Sequence, residues 1–148
     1  MLLFLAEEVR VSIGKFGKYR FPIGYYRYTG SALGKGSACL KNRLARHRRK
    51  EKRSFWHIDY LLADEKLSIE SIIVAQTREK MECNLNRYIM EIKGAVVPVN
   101  GFGASDCRRN CGTHLLRFPE IKKSDLLIQK ITSYLKSLEN IIAVHVVC

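Results

Sequence analysis

The sequence is short of acids: 14 Asp and Glu stand against 26 Lys and Arg, a net charge of +12 at pH 7. That imbalance favours an anionic partner, nucleic acid first. The bases are also clustered. Between Lys41 and Arg53 stand eight Lys or Arg and one acid, Glu51, and a charge serving only solubility does not require such clustering. No apolar run is long enough to cross a bilayer. The opening MLLFLAEEV lacks a basic start and a cleavage site and ends in two glutamates, so it does not read as a secretory leader. The five cysteines are an odd number, which argues against a disulfide framework. The expectation is a cytoplasmic protein whose thiols are reduced or bind metal. No internal repeat, low-complexity stretch or linker divides the 148 residues, and 47% hydrophobic residues can supply one substantial core.

Local patterns then order the elements. Leu2 to Ile13 reads as a strand, Gly14 to Lys18 as a turn, and Tyr19 to Gly30 as a second strand with Pro22 near its start, together a β-hairpin. Ser31 to Ser37 is a glycine-rich loop, and Ser37 is placed to cap a helix from Ala38 to Arg53. Phe55 to Leu62 and Leu67 to Gln76 read as strands. Thr77 opens a helix reaching about Glu91, and Gly94 to Ser105 is strand-like and then loop. His114 to Phe118 is short and extended, Ser124 to Glu139 is an amphipathic helix, and Ile141 to Val147 is a last strand. The order β-β-α-β-β-α-β-β-α-β predicts a single α/β (α+β) domain, a small mixed or antiparallel sheet flanked by helices. Its core covers about residues 1–92 and an α/β extension covers 93–148. The stripe Leu126, Ile128, Ile131, Leu135 and Leu138 on the last helix reads as core, with a dimer face as the alternative.

The stretch GYYRYTGSALGKGSACLKNRLARH, Gly24 to His47, carries the strongest chemical signal. Strand alternation sends Tyr26, Tyr28 and Gly30 one way and Tyr25, Arg27 and Thr29 the other. On a helical wheel Arg43 and His47 fall on the same stripe as Leu40 and Leu44, while Arg46, Arg48, Arg49 and Lys50 lie mostly elsewhere. A core-facing arginine is costly without a partner. A site behind the helix, shared with Tyr28, supplies a reason for Arg43 and His47; a structural salt bridge and a satisfied core histidine are the alternatives.

These residues resemble a known family. YTG at Tyr28 to Gly30 followed by LKNRLARH at Leu40 to His47 is similar to the core of GIY-YIG nucleases. With RLARHRR, WHIDYLL and GFGASDC…HL added, the chain resembles the Uri-type branch from Leu2 to about Phe118. The resemblance implies an endonuclease that hydrolyses DNA phosphodiester bonds in repair or processing, using one divalent ion, Mg²⁺ or Mn²⁺. It implies that Tyr28 orients or deprotonates the attacking water, Arg43 holds the scissile phosphate, and His47 is a proton shuttle. The metal-binding glutamate maps best to Glu82, at the edge of a helix face formed by Met81, Leu85, Tyr88, Ile89 and Ile92. The family's first motif, Gly-Ile-Tyr, has no counterpart here. Either Tyr26 substitutes for its tyrosine, or the start is misassigned, or activity is impaired. The alternative reading is therefore a non-catalytic nucleic-acid-binding module on the same scaffold.

Other residues complete the expectations. Lys35, Lys41, Arg46, Arg48, Arg49, Lys50 and Arg53 form a nucleic-acid-binding footprint. As a strand, WHIDYLL places His57 and Asp59 on one face, either joining the site or forming a structural pair. Cys107, Cys111 and His114, spaced C-x3-C-x2-H, could provide three zinc ligands, with Cys83, Cys148 or His57 as a fourth if the fold brings one close. A packed thiol loop is the alternative, and a zinc-stabilised interaction domain is the third functional reading. Asp106 beside Arg108 and Arg109 could pin that loop. GSALGKGS lacks the P-loop spacing and reads as a tight strand-to-helix turn.

Overall fold

The computed structural model describes residues 1–36, 39–105, 107 and 109–147. Its centre is a five-stranded sheet in the order β6-β4-β1-β5-β7. The strands are β1 (Leu2–Leu5), β4 (Gly24–Tyr28), β5 (Leu67–Gln76), β6 (Leu115–Phe118) and β7 (Ala143–Val147), and each neighbouring pair is antiparallel. The expected fold class is observed. Residues 93–148 supply both edge strands, so they build the same sheet as the rest of the chain.

The central strand explains why LLFL reads as a continuous apolar run and not as an alternating one. A strand covered on both faces has no solvent side. Leu3 and Leu5 enter one core and Leu2 the other.

The expected first hairpin exists, but it is broken in the middle. β2 (Val9–Ile13) and β3 (Gly17–Phe21) form a separate two-stranded ribbon, joined by a 3₁₀ turn at Gly14–Phe16. The pairing register shifts by one residue between this ribbon and the β1–β4 ladder. Pro22 lies at the break, where its missing N–H cannot continue a ladder. The ribbon thus leaves the sheet and packs on α2 (His57–Leu62), closing a core with Phe21, Tyr26, Ile58, Leu61 and Phe102.

That α2 is a helix corrects the strand expected over Phe55 to Leu62. Asp59 decides it. Its Oδ2 accepts the N–H groups of Phe55 and Trp56, both at 3.1 Å, which satisfies the donors that a helix start leaves unpaired. A second correction is the length of α1 (Leu40–Arg48), which stops short of Arg53. Five bases follow or end it, and Lys52 folds back so that its Nζ donates to the Arg46 carbonyl at 3.0 Å, capping the last turn. The expected cap at Ser37 and start at Ala38 lie outside the described residues.

The second core lies across the sheet. It joins α3 (Glu82–Met90) and α4 (Asp125–Lys136) through Leu85, Ile89, Leu127, Ile131 and Leu135. α3 starts later than expected: Thr77 Oγ1 accepts only the Glu79 N–H, in a turn before the helix. On α4 the buried stripe runs through Leu127, whereas Leu126 is exposed. Each fully buried leucine or isoleucine there contributes about 1.5–3 kcal/mol.

Candidate functional site

Beyond the end of β4 the chain runs on through Thr29–Ser31 and later returns as α1. Between these segments, β5 and the start of α3 lies a cavity of about 490 Å³. Tyr28, Arg43, His47 and Glu82 all line it. They come from β4, α1 and α3, so tertiary structure alone brings them together. Tyr28 and Arg43 meet across Gly30. A methyl built there would lie 3.4 Å from both Tyr28 Cε1 and Arg43 Nη2. The helix stripe read from sequence is the cavity wall, since Leu40 and Leu44 line it too.

Arg43 is held by two contacts. Its Nη1 donates to the Ser31 carbonyl, and its guanidinium lies over the Trp56 ring, 4.6 Å from the centroid. A charged group on an aromatic face keeps a fixed orientation with unused donors. Trp56 has a role that the sequence did not show, because it sits just ahead of α2 and not on a strand.

His47 is 5% exposed and packs edge-to-face on Tyr28, with ring centroids 6.3 Å apart. Burial, reinforced by the nearby Arg43 cation, lowers its pKa to about 4, although Asp59 pulls the other way. The imidazole is therefore neutral at physiological pH and can accept a proton. Its Nδ1 lies 3.9 Å from Asp59 Oδ1.

Asp59 is fully buried and is the electrostatic hub behind the cavity. It meets Arg46 at 2.7 Å and Lys52 at 3.5 Å. Burial alone would raise its pKa, but the hydrogen bond from Arg46, the Trp56 and Phe55 amides and the Lys52 cation together hold it below its ordinary value. His57 is not its partner. His57 Nδ1 accepts the Gly103 N–H at 3.0 Å, and its ring stacks on Phe16. The expected shared face of His57 and Asp59 is thus replaced by two separate tasks.

Tyr26 does not reach the cavity. Its hydroxyl donates to the Pro22 carbonyl, its ring packs toward Phe21, and burial raises its pKa well above the ordinary value. Arg27, which the sequence reading set on the opposite face from Tyr28, also lines the cavity. It is 2% exposed and donates to the Met1 and Tyr28 carbonyls, and its Nε has no hydrogen-bond partner. Burial lowers its pKa to about 10, so it stays cationic. Strand alternation gave no hint of this, because the cavity wraps the end of the sheet.

The basic residues divide in two. Lys35, Lys41, Arg48, Arg49 and Arg53 are exposed. Arg46 is engaged by Asp59 and by the Arg53 carbonyl, and Lys50 donates to the Asp64 and Leu67 carbonyls. These two charges serve the fold itself.

A second cluster stands beside the cavity. Cys83, Cys107, Cys111 and His114 bring their ligand atoms within 4.8 Å of one another. Cys83 Sγ lies 3.3 Å from Cys107 Sγ and 3.4 Å from Cys111 Sγ; Cys107 and Cys111 are 2.9 Å apart; Cys111 Sγ is 2.9 Å from His114 Nε2. This Cys3His set could hold a metal ion. Cys83 is the fourth member, whereas His57 is engaged elsewhere. Cys148, and the Asp106 and Arg108 of the expected loop pin, lie outside the described residues.

Among the described residues no helix is long and apolar enough to cross a membrane. A family model with the description "Domain of unknown function DUF123" matches residues 1–137. No curated protein and no solved structure matches the chain.

Proposed function

The chain belongs to the DUF123 family, and we propose that it is a metal-dependent endonuclease of the GIY-YIG type acting on DNA. One observation carries the reading: Tyr28, Arg43, His47 and Glu82, spread over three elements, line a single cavity. Hydrolysis of a phosphodiester needs an activated water and charge on the phosphoryl oxygens. Tyr28 orients the water from the strand end. Arg43, fixed on Trp56 and across Gly30 from Tyr28, holds the phosphate. His47 is neutral and adjacent to the Tyr28 ring, so it can take up the proton.

Glu82 would hold one Mg²⁺ or Mn²⁺. Magnesium binds through one or two carboxylates plus substrate phosphates and waters, so a single glutamate on the cavity wall fits it; bound there, the ion would polarise the phosphate and lower the pKa of a water. The soft ligands of the Cys3His cluster suit zinc and not magnesium, which keeps the two ions apart. The exposed Lys41, Arg48, Arg49 and Arg53 would track the phosphate backbone beside the cavity. Repair or processing of DNA is the setting this chemistry suits.

A second reading is favoured by one observation. The Tyr26 hydroxyl is occupied by Pro22, so it does not stand in for the tyrosine of the Gly-Ile-Tyr motif, and the chain would then bind nucleic acid without cutting it. Incubation with supercoiled plasmid and Mg²⁺ or Mn²⁺ separates the two. Nicking by the native protein, lost in Tyr28→Phe, Arg43→Ala and Glu82→Ala, supports the nuclease. Retention of the plasmid in a gel shift with no nicking under either metal supports the binding module.

A further inference from the structure

We infer that one zinc ion, held by Cys83, Cys107, Cys111 and His114, is the clasp that sets the shape of the neighbouring cavity. The ion fastens the first turn of α3, which carries Glu82, to the loop that backs Tyr28.

The ligand set comes first. Around a tetrahedral zinc with Zn–S bonds of about 2.3 Å, sulfurs stand somewhat under 4 Å apart. The three Sγ atoms are 2.9 to 3.4 Å apart, and all four ligand atoms lie within 4.8 Å of one another. A small outward adjustment accommodates the ion. Without an ion these groups are joined by thiol hydrogen bonds; a shared cation would replace them with four metal–ligand bonds, the thiols releasing their protons. Cys83 and Cys111 are buried and Cys107 is half-buried, as suits a closed structural site with no open coordination position.

The loop needs such a clasp. The described residues of 97–114 contain no helix or strand, and a run of that length without regular structure is unusual inside a compact domain. Its folds rely on Gly101, Gly103, Asn110 and Gly112, all at positive φ. Backbone bonds that tie its two arms together include Gly101 to the Gly112 carbonyl at 2.6 Å and His114 to the Phe102 carbonyl at 2.8 Å. Fixing Cys107, Cys111 and His114 to Cys83 closes this loop onto a helix.

The connection to the cavity is short. Glu82 and Cys83 are consecutive on α3, one lining the cavity and the other the cluster. Gly103 lies against Tyr28: a methyl on it would come within 3.0 Å of Tyr28 Cε2 and 3.3 Å of His114 Cβ. The His114 carbonyl accepts the Thr29 N–H at 3.0 Å, directly after Tyr28. Asn86, one turn beyond Cys83, donates to the Thr113 carbonyl at 2.6 Å. Cys83 and His114 are thus one or two contacts from residues assigned to the chemistry. The effect on cleavage rests on the nuclease reading above; the ion and the clasp do not.

The test uses the full chain as isolated. Elemental analysis is expected to find one zinc per chain, and cobalt(II) exchanged into the protein should show the thiolate-to-metal and d–d bands of a tetrahedral site. Removing the ion with a chelator should raise amide hydrogen exchange at least tenfold in residues 82–90 and 101–114 while the β2–β3 ribbon stays protected. His114→Ala should lose the ion and this protection; His114→Cys, which keeps four ligands, should retain both. Protein with native exchange rates and no zinc, or with a Cys107–Cys111 disulfide in its place, overturns the proposal. So does chelation that leaves both segments protected. Zinc and segment protection present together, with no cleavage in any metal, leaves the clasp standing and rejects the nuclease.

Discussion

The Tyr28 ring meets the His47 imidazole edge-to-face, centroids 6.3 Å apart, beside a carboxylate that never reaches solvent, Asp59. Burial and the nearby Arg43 cation keep this histidine neutral, against the pull of Asp59. This leaves His47 unprotonated across the whole neutral range.

The pH dependence follows from that. The pKa of His47 is about 4 in the folded chain and about 6.5 when unfolded. Between those values the unfolded chain binds the extra proton, so stability falls as pH drops from about 6.5 toward 4. The group alone should cost roughly 2 kcal/mol between pH 8 and pH 5. Urea denaturation of native protein and His47→Phe at the two pH values checks it: the native chain should lose more stability on acidification than the variant does. Cleavage should show no titration from His47 between pH 6 and 8 and should fall as pH approaches 4.

Gly30→Ala separates folding from chemistry. The new methyl would touch Tyr28 and Arg43 at 3.4 Å, an ordinary contact distance, so stability should change by about 1 kcal/mol or less. The methyl would occupy the space between the phenol and the guanidinium. A cleavage rate reduced at least tenfold, with the melting temperature moved by no more than about 4 °C, is the expected outcome. By contrast, Gly103→Ala adds a methyl 3.0 Å from Tyr28 Cε2 at φ +69° and should destabilise by about 1–3 kcal/mol.

Asp59→Asn removes the anion that Arg46 and Lys52 share inside the protein. Breaking a buried ion pair from one side costs about 3–5 kcal/mol; Arg46 is partly exposed, so the lower end applies. The Phe55 and Trp56 amides lose part of their cap as well. The variant should melt well below the native protein by calorimetry, and Arg43 should lose its fixed place on Trp56.

The footprint on nucleic acid should be electrostatic. Affinity for DNA should fall steeply as salt rises, because each lysine or arginine on a phosphate releases a counterion. Combining Arg48→Gln and Arg49→Gln should lower the slope of log K against log salt by about 2, measured by fluorescence anisotropy. Lys50→Gln should change the slope little and lower stability, because its ammonium caps the Asp64 and Leu67 carbonyls.

The legibility of this chain in its sequence depends on the range of each interaction. β5 matches the expected Leu67 to Gln76 to the residue, because a run rich in isoleucine and valine favours an extended strand. The helix stripe of Leu40, Arg43, Leu44 and His47 and the helix edge at Glu82 were also readable, being local periodicities. FWHIDYLL, Phe55 to Leu62, holds a helix from His57 and not the expected strand, as eight residues with scattered polarity suit a strand or a short helix equally. Only the carboxylate of Asp59, folded back onto two amides, decides between them. The bend that separates β2–β3 from β1–β4 left one local mark, Pro22, which reads just as well as a strand's first residue.

What the sequence determined by itself is the supply of groups: a basic helix, a phenol, a guanidinium, a carboxylate and a C-x3-C-x2-H run, each with the period of its own element. Only the tertiary structure decided which of them meet. Cys83 joins a motif 24 residues away, Arg27 turns out to line the same cavity as Arg43, and Tyr26 is drawn off to Pro22. These choices depend on how two cores close around one sheet, and no local pattern encodes the distance between residues on different elements.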